Sequence, residues 1–115
     1  MNVTIRNNLK SCDAQAPTEA MVNISAPNVS TPLAIGASIV RYQKLWIYPY
    51  KNIAAGLPVL NVGTVYVGKG ANNVDILVNN GGPICYEFPL GQCGDLRSVT
   101  AQGGTAGDGV FISYT

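Results

Sequence analysis

Residues 57–68 read Leu-Pro-Val-Leu-Asn-Val-Gly-Thr-Val-Tyr-Val-Gly. Apolar side chains recur at every second position. Val65 and Val67 fall on one face; Leu60, Val62 and Tyr66 fall on the other. A period of two belongs to a strand, whose successive side chains point to opposite sides of a sheet. Gly63 interrupts the pattern, and a glycine inside a strand marks a bulge or a close approach of another backbone. The segment is predicted as one strand with a local distortion.

The same period extends in both directions. Downstream, Lys69–Asn73 reads as a turn, and Val74, Ile76 and Val78 alternate with Asp75, Leu77 and Asn79. Asn80-Gly81-Gly82-Pro83 breaks the chain. Strands are predicted over Ile84–Phe88 and Leu96–Gln102. Residues 103–109, Gly-Gly-Thr-Ala-Gly-Asp-Gly, lead into a last strand with Val110, Ile112 and Tyr114 on one face and Phe111 and Ser113 on the other. Asp108-Gly109 is a hairpin signal, so 103–109 is expected to close a hairpin. A phosphate loop would need a Lys-Ser/Thr ending and a following helix, and neither is present.

Upstream, Lys44–Tyr50 holds the one tryptophan, and Pro49 places its end at a sheet edge or bend. Leu33–Tyr42 is read as a strand, because Gly36 and the β-branched Ile39 and Val40 disfavour helix; at most one helical turn is expected within 33–44. Ala20, Val22, Ile24 and Ala26 share a face. Val3 and Ile5 alternate with Asn2, Thr4 and Arg6 as a short first strand, and the polar stretch 7–19 has Leu9 as its one large aliphatic. The count reaches roughly eight or nine short strands with turn residues between them, the pattern of an antiparallel sandwich or barrel. The expectation is a single all-β domain, a β-sandwich or jelly-roll-like fold over residues 20–115, preceded by an N-terminal strand and arm over 1–19 that pairs with a sheet edge of its own or a neighbouring subunit.

Composition narrows the chemistry. Charged residues make up 11% of 115, against about 25% in average soluble domains, and the formal net charge is +1. That excludes strong electrostatic attraction to nucleic acid or anionic lipid. No stretch reaches the ~18 apolar residues of a membrane span. The opening MNVTIRNNLK lacks the apolar core of an export signal, so a chain made and used without export is expected. There is no histidine, which removes the commonest metal ligand and the side chain best suited to proton transfer near neutrality. Most of the six carboxylates fall in or beside turns, with no pairing pattern, and a Ser or Cys nucleophile would lack its usual base. No catalytic residue, metal or cofactor is expected. Cys12, Cys85 and Cys93 are odd in number and form no Cys-x-x-Cys. Three reduced thiols are expected, although the spacing permits a Cys85–Cys93 bridge.

Binding is the remaining class. Trp46, Tyr48 and Tyr50 alternate and so share a strand face. Trp46 is expected to fill the core, with Tyr48 at its rim and Tyr50, past Pro49, exposed. Phe111 is out of phase with Val110, Ile112 and Tyr114, and Leu77 with Val74, Ile76 and Val78. Two strands thus carry apolar groups on both faces, as in strands buried on both sides or meeting another subunit, unless the two are isolated surface apolars. The candidate interface residues are Phe111, Leu77, Tyr48, Tyr50, Val3 and Ile5.

Four further elements carry a family likeness: Asn61–Gly68, Phe88-Pro89-Leu90-Gly91, Asp95-Leu96-Arg97-Ser98-Val99 and Gly104–Tyr114. Together the C-terminal half, residues 57–115, resembles the small β-sandwich accessory proteins of tailed bacteriophage virions. Two departures are the Gly91-Gln92-Cys93-Gly94 turn and residues 1–50, which have no counterpart in that group. The resemblance implies a non-enzymatic structural protein, made in the host cytoplasm and placed on the capsid surface. It would decorate or cement the shell by bridging major capsid protein subunits, as a homo-oligomer, expected to be a trimer. The alternatives are a carbohydrate- or receptor-binding sandwich, with Tyr48 and Tyr50 as its platform, and a tail or baseplate component.

Overall fold

The computed structural model describes residues 17–24, 26–54, 57–69, 72–77, 83–89 and 91–115; for 52–58 and 72–77 only the backbone is considered. The strands are β1 (Thr18–Asn23), β2 (Thr31–Pro32), β3 (Arg41–Tyr42), β4 (Lys44–Tyr48), β5 (Tyr50–Ala54) and β6 (Leu57–Leu60). They continue with β7 (Val65–Lys69), β8 (Asn72–Leu77), β9 (Ile84–Glu87), β10 (Gly94–Asp95), β11 (Val99–Gly103) and β12 (Gly109–Tyr114). The chain is all-β, and every pairing among the described residues is antiparallel.

Two four-stranded sheets form the body, in the orders β1-β12-β4-β9 and β2-β11-β7-β8. The short pairs β10-β3 and β5-β6 stand apart from them. Counting only the eight strands of the two large sheets, the first pairs with the last, the second with the seventh, the third with the sixth and the fourth with the fifth. This nested order is one long antiparallel ribbon rolled over on itself, the arrangement of a jelly roll. Between the sheets lies a single core. Leu45, Ile47, Val110 and Ile112 enter it from one sheet; Val65, Val67, Val99 and Ala101 enter from the other. All eight are essentially inaccessible to solvent. The alternation read in β7 and β12 is the pattern that places them there.

Four expectations are corrected. Residues 57–68 are not one strand but β6 and β7, in different sheets. The break at 61–64 is enforced from outside. Asn61 Nδ2 donates to Gly109 O at 2.7 Å and Asn61 Oδ1 accepts from Gly109 N at 2.9 Å. Val62 N and Gly63 N donate to the Asp108 carboxylate at 2.9 and 2.7 Å. The donors that would extend the strand are thereby turned toward another loop.

The glycine-rich 103–109 segment closes no hairpin, because β11 and β12 belong to different sheets. It arches over the end of the sandwich, with the Asp108 side chain buried beneath it.

Leu33–Tyr42 is extended only at Arg41–Tyr42. The loop before it is pinned at both ends: Leu33 N donates to Val99 O and Leu96 N to Val40 O, both at 2.8 Å. Gly36 sits between them at φ 122°, a backbone conformation that favours glycine. The helical turn among the described residues lies at Leu96–Ser98, where the Asp95 carboxylate caps Arg97 N at 3.1 Å, and the following strand starts at Val99.

The thiols also differ from expectation. Cys93 is disulfide-bonded, whereas Cys85 is a free, exposed thiol. Cys85 stands in β9 opposite Trp46, while Cys93 lies in the turn before β10. No bridge joins the two, and the partner of Cys93 lies outside the described residues.

Candidate binding face

The strand phases decide which side chains leave the core. In β4, Leu45 and Ile47 point inward, so Lys44, Trp46 and Tyr48 point outward. In β12, Val110 and Ile112 point inward, so Phe111 and Ser113 point outward. Registry then assembles the outer face of the β1-β12-β4-β9 sheet. Met21 lies opposite Phe111, and Phe111 opposite Tyr48. One pair further along the sheet, Glu19 lies opposite Ser113, Ser113 opposite Trp46, and Trp46 opposite Cys85.

Trp46 is therefore not a core residue. It is half-buried on the outer face, because the core side of β4 is already filled by its two neighbours. The Lys44 ammonium sits 5.3 Å from the Trp46 ring centroid. Lys44 also meets Glu87 across the β4–β9 pair at 3.7 Å, with both side chains largely in water. An exposed pair of that kind stabilises by about 0–1 kcal/mol. It serves as a weak polar border to the aromatic area.

Tyr48 is the centre of the patch. Its ring lies 5.8 Å from Phe111, tilted by 49°, and 5.9 Å from Tyr50, nearly parallel at 8°. Pro49 is buried and bends the chain out of the sheet into β5, as its place in the sequence implied. Tyr50 is half-buried rather than exposed, because that bend returns its ring onto Tyr48. Rings held this way present a large rigid surface with little left to order on binding.

Three of the six candidate residues, Phe111, Tyr48 and Tyr50, are thus brought together from β12, β4 and β5. Leu77 pairs through its backbone with Val65 at the end of β8, and its side chain lies outside the described residues. Val3 and Ile5 lie outside them altogether. Met21 and Trp46 were missed as members of the face. The signal was present: the phase that buries Leu45 and Ile47 sends Trp46 outward, and Met21 alternates with Val22, which packs on the core.

Partial burial pushes the Cys85 thiol, beside this face, above its ordinary range; Lys44 offsets this and Glu87 adds to it. It is held as a neutral thiol rather than a nucleophile. Among the described residues no group of three or more His, Cys, Asp or Glu side chains is placed to hold a metal ion, and no helix is long and apolar enough to cross a membrane.

No family model, curated protein or solved structure matches the chain. The face must be read from its own chemistry. It offers aromatic and thioether contact area, a rim of one lysine and two glutamates, and no acid–base pair at hydrogen-bonding distance in its centre. Such a surface offers contact area for binding.

Proposed function

We propose that this chain is a structural protein of a bacteriophage virion that decorates or cements the capsid, docking through the aromatic outer face of the β1-β12-β4-β9 sheet. The observation that carries the reading is the Trp46–Tyr48–Tyr50–Phe111 patch. Tyr48 touches Tyr50 and Phe111, Trp46 stands two residues along β4 on the same outer face, and all four are half-buried outside the core cluster. Contact residues that dominate protein interfaces are enriched in tryptophan and tyrosine set in rigid surroundings.

Three further facts support the reading. The nested strand order is one on which viral capsid domains are built, though lectins use it too. The resemblance of residues 57–115 to phage accessory sandwiches points the same way. The disulfide at Cys93 suits a particle surface, an oxidising setting. The proposed mechanism is bridging. Each copy contacts major capsid protein subunits, sister copies associate as a trimer, and several modest contacts made together multiply into firm attachment.

Cryo-electron microscopy of the virion tests it directly. Density for this sandwich on the shell, with the patch turned toward the capsid, is the expected result; density in the tail or none on the particle overturns it. A polysaccharide column provides the competing outcome. Planar aromatic rings also stack on sugars, so retention that is lost in Tyr48→Ser would favour a carbohydrate-binding module instead.

A further inference from the structure

The chain has three cysteines, at positions 12, 85 and 93. Cys93 is disulfide-bonded, and Cys85 is a free, exposed thiol of β9. Both facts hold within a single chain. A disulfide needs two sulfurs, so one candidate remains for the second, Cys12.

Registry puts that candidate within reach. Thr18, the first residue of β1, lies opposite Tyr114. The next residue, Thr115, exchanges main-chain bonds with the start of β4: Gln43 N donates to Thr115 O at 2.8 Å, and Thr115 N donates to Lys44 O at 3.0 Å. Tyr42 lies opposite Gly94, the residue after Cys93. Thr18 and Cys93 therefore share one end of the sandwich. Followed from strand to strand, the path between them is about 25 Å, and a straight line is shorter. The chain from Cys12 to Thr18 extends to about 20 Å, and the Cα atoms of a bridged pair stand about 4.4–6.8 Å apart.

The two sides of that crossing differ in firmness. Cys93 adjoins a fixed anchor. Gly94 packs so closely on two rings that a β-carbon there would stand 2.6 Å from Phe88 and 2.8 Å from Tyr42. Leu96, just beyond, is buried, and its N–H donates to Val40 O. β1 begins differently. It is an edge strand, and Thr18, Glu19 and Ala20 are all exposed. Its first half is held by the ladder to β12 without a buried side chain, and a strand end of that kind opens readily.

We infer that Cys12 and Cys93 form an intramolecular disulfide that straps residues 12–17 across this end of the sandwich and fastens the start of β1 to the β3-β10 pair. Residues 1–11 alone lie beyond the staple. The S–S bond forms as two S–H bonds break. A small disulfide such as oxidised glutathione takes up the two electrons in two exchange steps, and its halves leave as thiols carrying both protons. The inference stands independently of the shell-docking reading.

Peptide mapping of the full-length protein tests it. Folded protein is equilibrated with reduced and oxidised glutathione, denatured in an alkylating agent without reductant, and cut after Lys, Arg and Glu. Residues 11–19 should be recovered joined to residues 88–97, with Cys85 alone blocked. In thermal melts, reductant should lower the midpoint by about 10–20 °C, as opening a long closed loop does. Cys12→Ser should melt at the lower midpoint with or without reductant, and Cys85→Ser should respond to reductant as the wild type does. Recovery of Cys12 and Cys93 both blocked overturns the inference, and so does a bridge from Cys93 to Cys85. A wild-type midpoint that reductant leaves unchanged also overturns it, because the bond would then fasten nothing. On a gel run without reductant the protein should migrate as a monomer; a dimer that reductant collapses would place the bridge between copies and overturn the strap.

Discussion

At Gly63 one methyl group decides whether two loops can meet. A β-carbon there would stand 2.5 Å from Thr105 Oγ1 and 3.4 Å from Asp108 Oδ2. The sequence announced a close approach at this glycine, and the structure supplies the neighbours. We expect Gly63→Ala to lower stability by about 1–3 kcal/mol in urea unfolding, as an overpacked site does. Thr105→Ala removes the nearer atom and leaves the threonine's own β-carbon position at 3.3 Å, so it should return part of that loss in the double variant. Asp108 shows the limit of local reading. Asp-Gly is a hairpin signal because both residues tolerate turn geometry, but here the carboxylate reaches backbone donors 45 and 46 positions away. Nothing within the turn itself encodes that distance.

The lesson of β4 is one of phase. Leu-Trp-Ile-Tyr reads equally apolar at each position, so hydrophobicity alone sends the largest residue inward, whereas the registry with β12 and β9 sends Leu45 and Ile47 there. Ile47→Ala should therefore cost about 2–5 kcal/mol in chemical unfolding, whereas Trp46→Ser should shift the midpoint less and weaken the proposed attachment to the shell. The short elements at the other end depend on a charge. The Arg97 side chain beside Asp95 holds its carboxyl below the ordinary value of 3.8, the Arg97 and Val40 backbone N–H bonds assist, and desolvation opposes them. A carboxyl depressed in the folded state stabilises fully above the ordinary carboxylate range, and that contribution is lost as pH falls through its lower folded value. Protection of the Val40 N–H from hydrogen exchange, taken relative to its intrinsic rate, should fall only at pH below the ordinary carboxylate range, and Asp95→Asn should abolish that acid step. Strands with alternating faces, such as β7 and β12, were legible because one side of each is fully buried. Leu33–Val40 was not, because β-branched residues suit both a strand and a loop pinned from outside.

On the scale of the whole molecule, the antiparallel class was legible, but the expected eight or nine strands fall short of the twelve among the described residues, and the nested order was not legible, since pairing partners lie far apart in the chain. That order makes β11 and β12 interior strands of their sheets. Removing residues 109–115 takes away the strand between β1 and β4 along with the buried Val110 and Ile112. We expect the truncated chain to lose its cooperative melting transition in circular dichroism, not merely to melt a few degrees earlier. The same order sets a timetable for synthesis. At about 5–20 residues per second, β1 leaves the ribosome roughly 5–20 s before its partner β12 has been made. Through that interval the inward faces of β1 and β4 lack the strand that joins them. A nascent molecule of this design depends on β12, made long after β1, to hide its apolar surface, so a message cut short before β12 would yield a product that chaperones and proteases can recognise as unfinished.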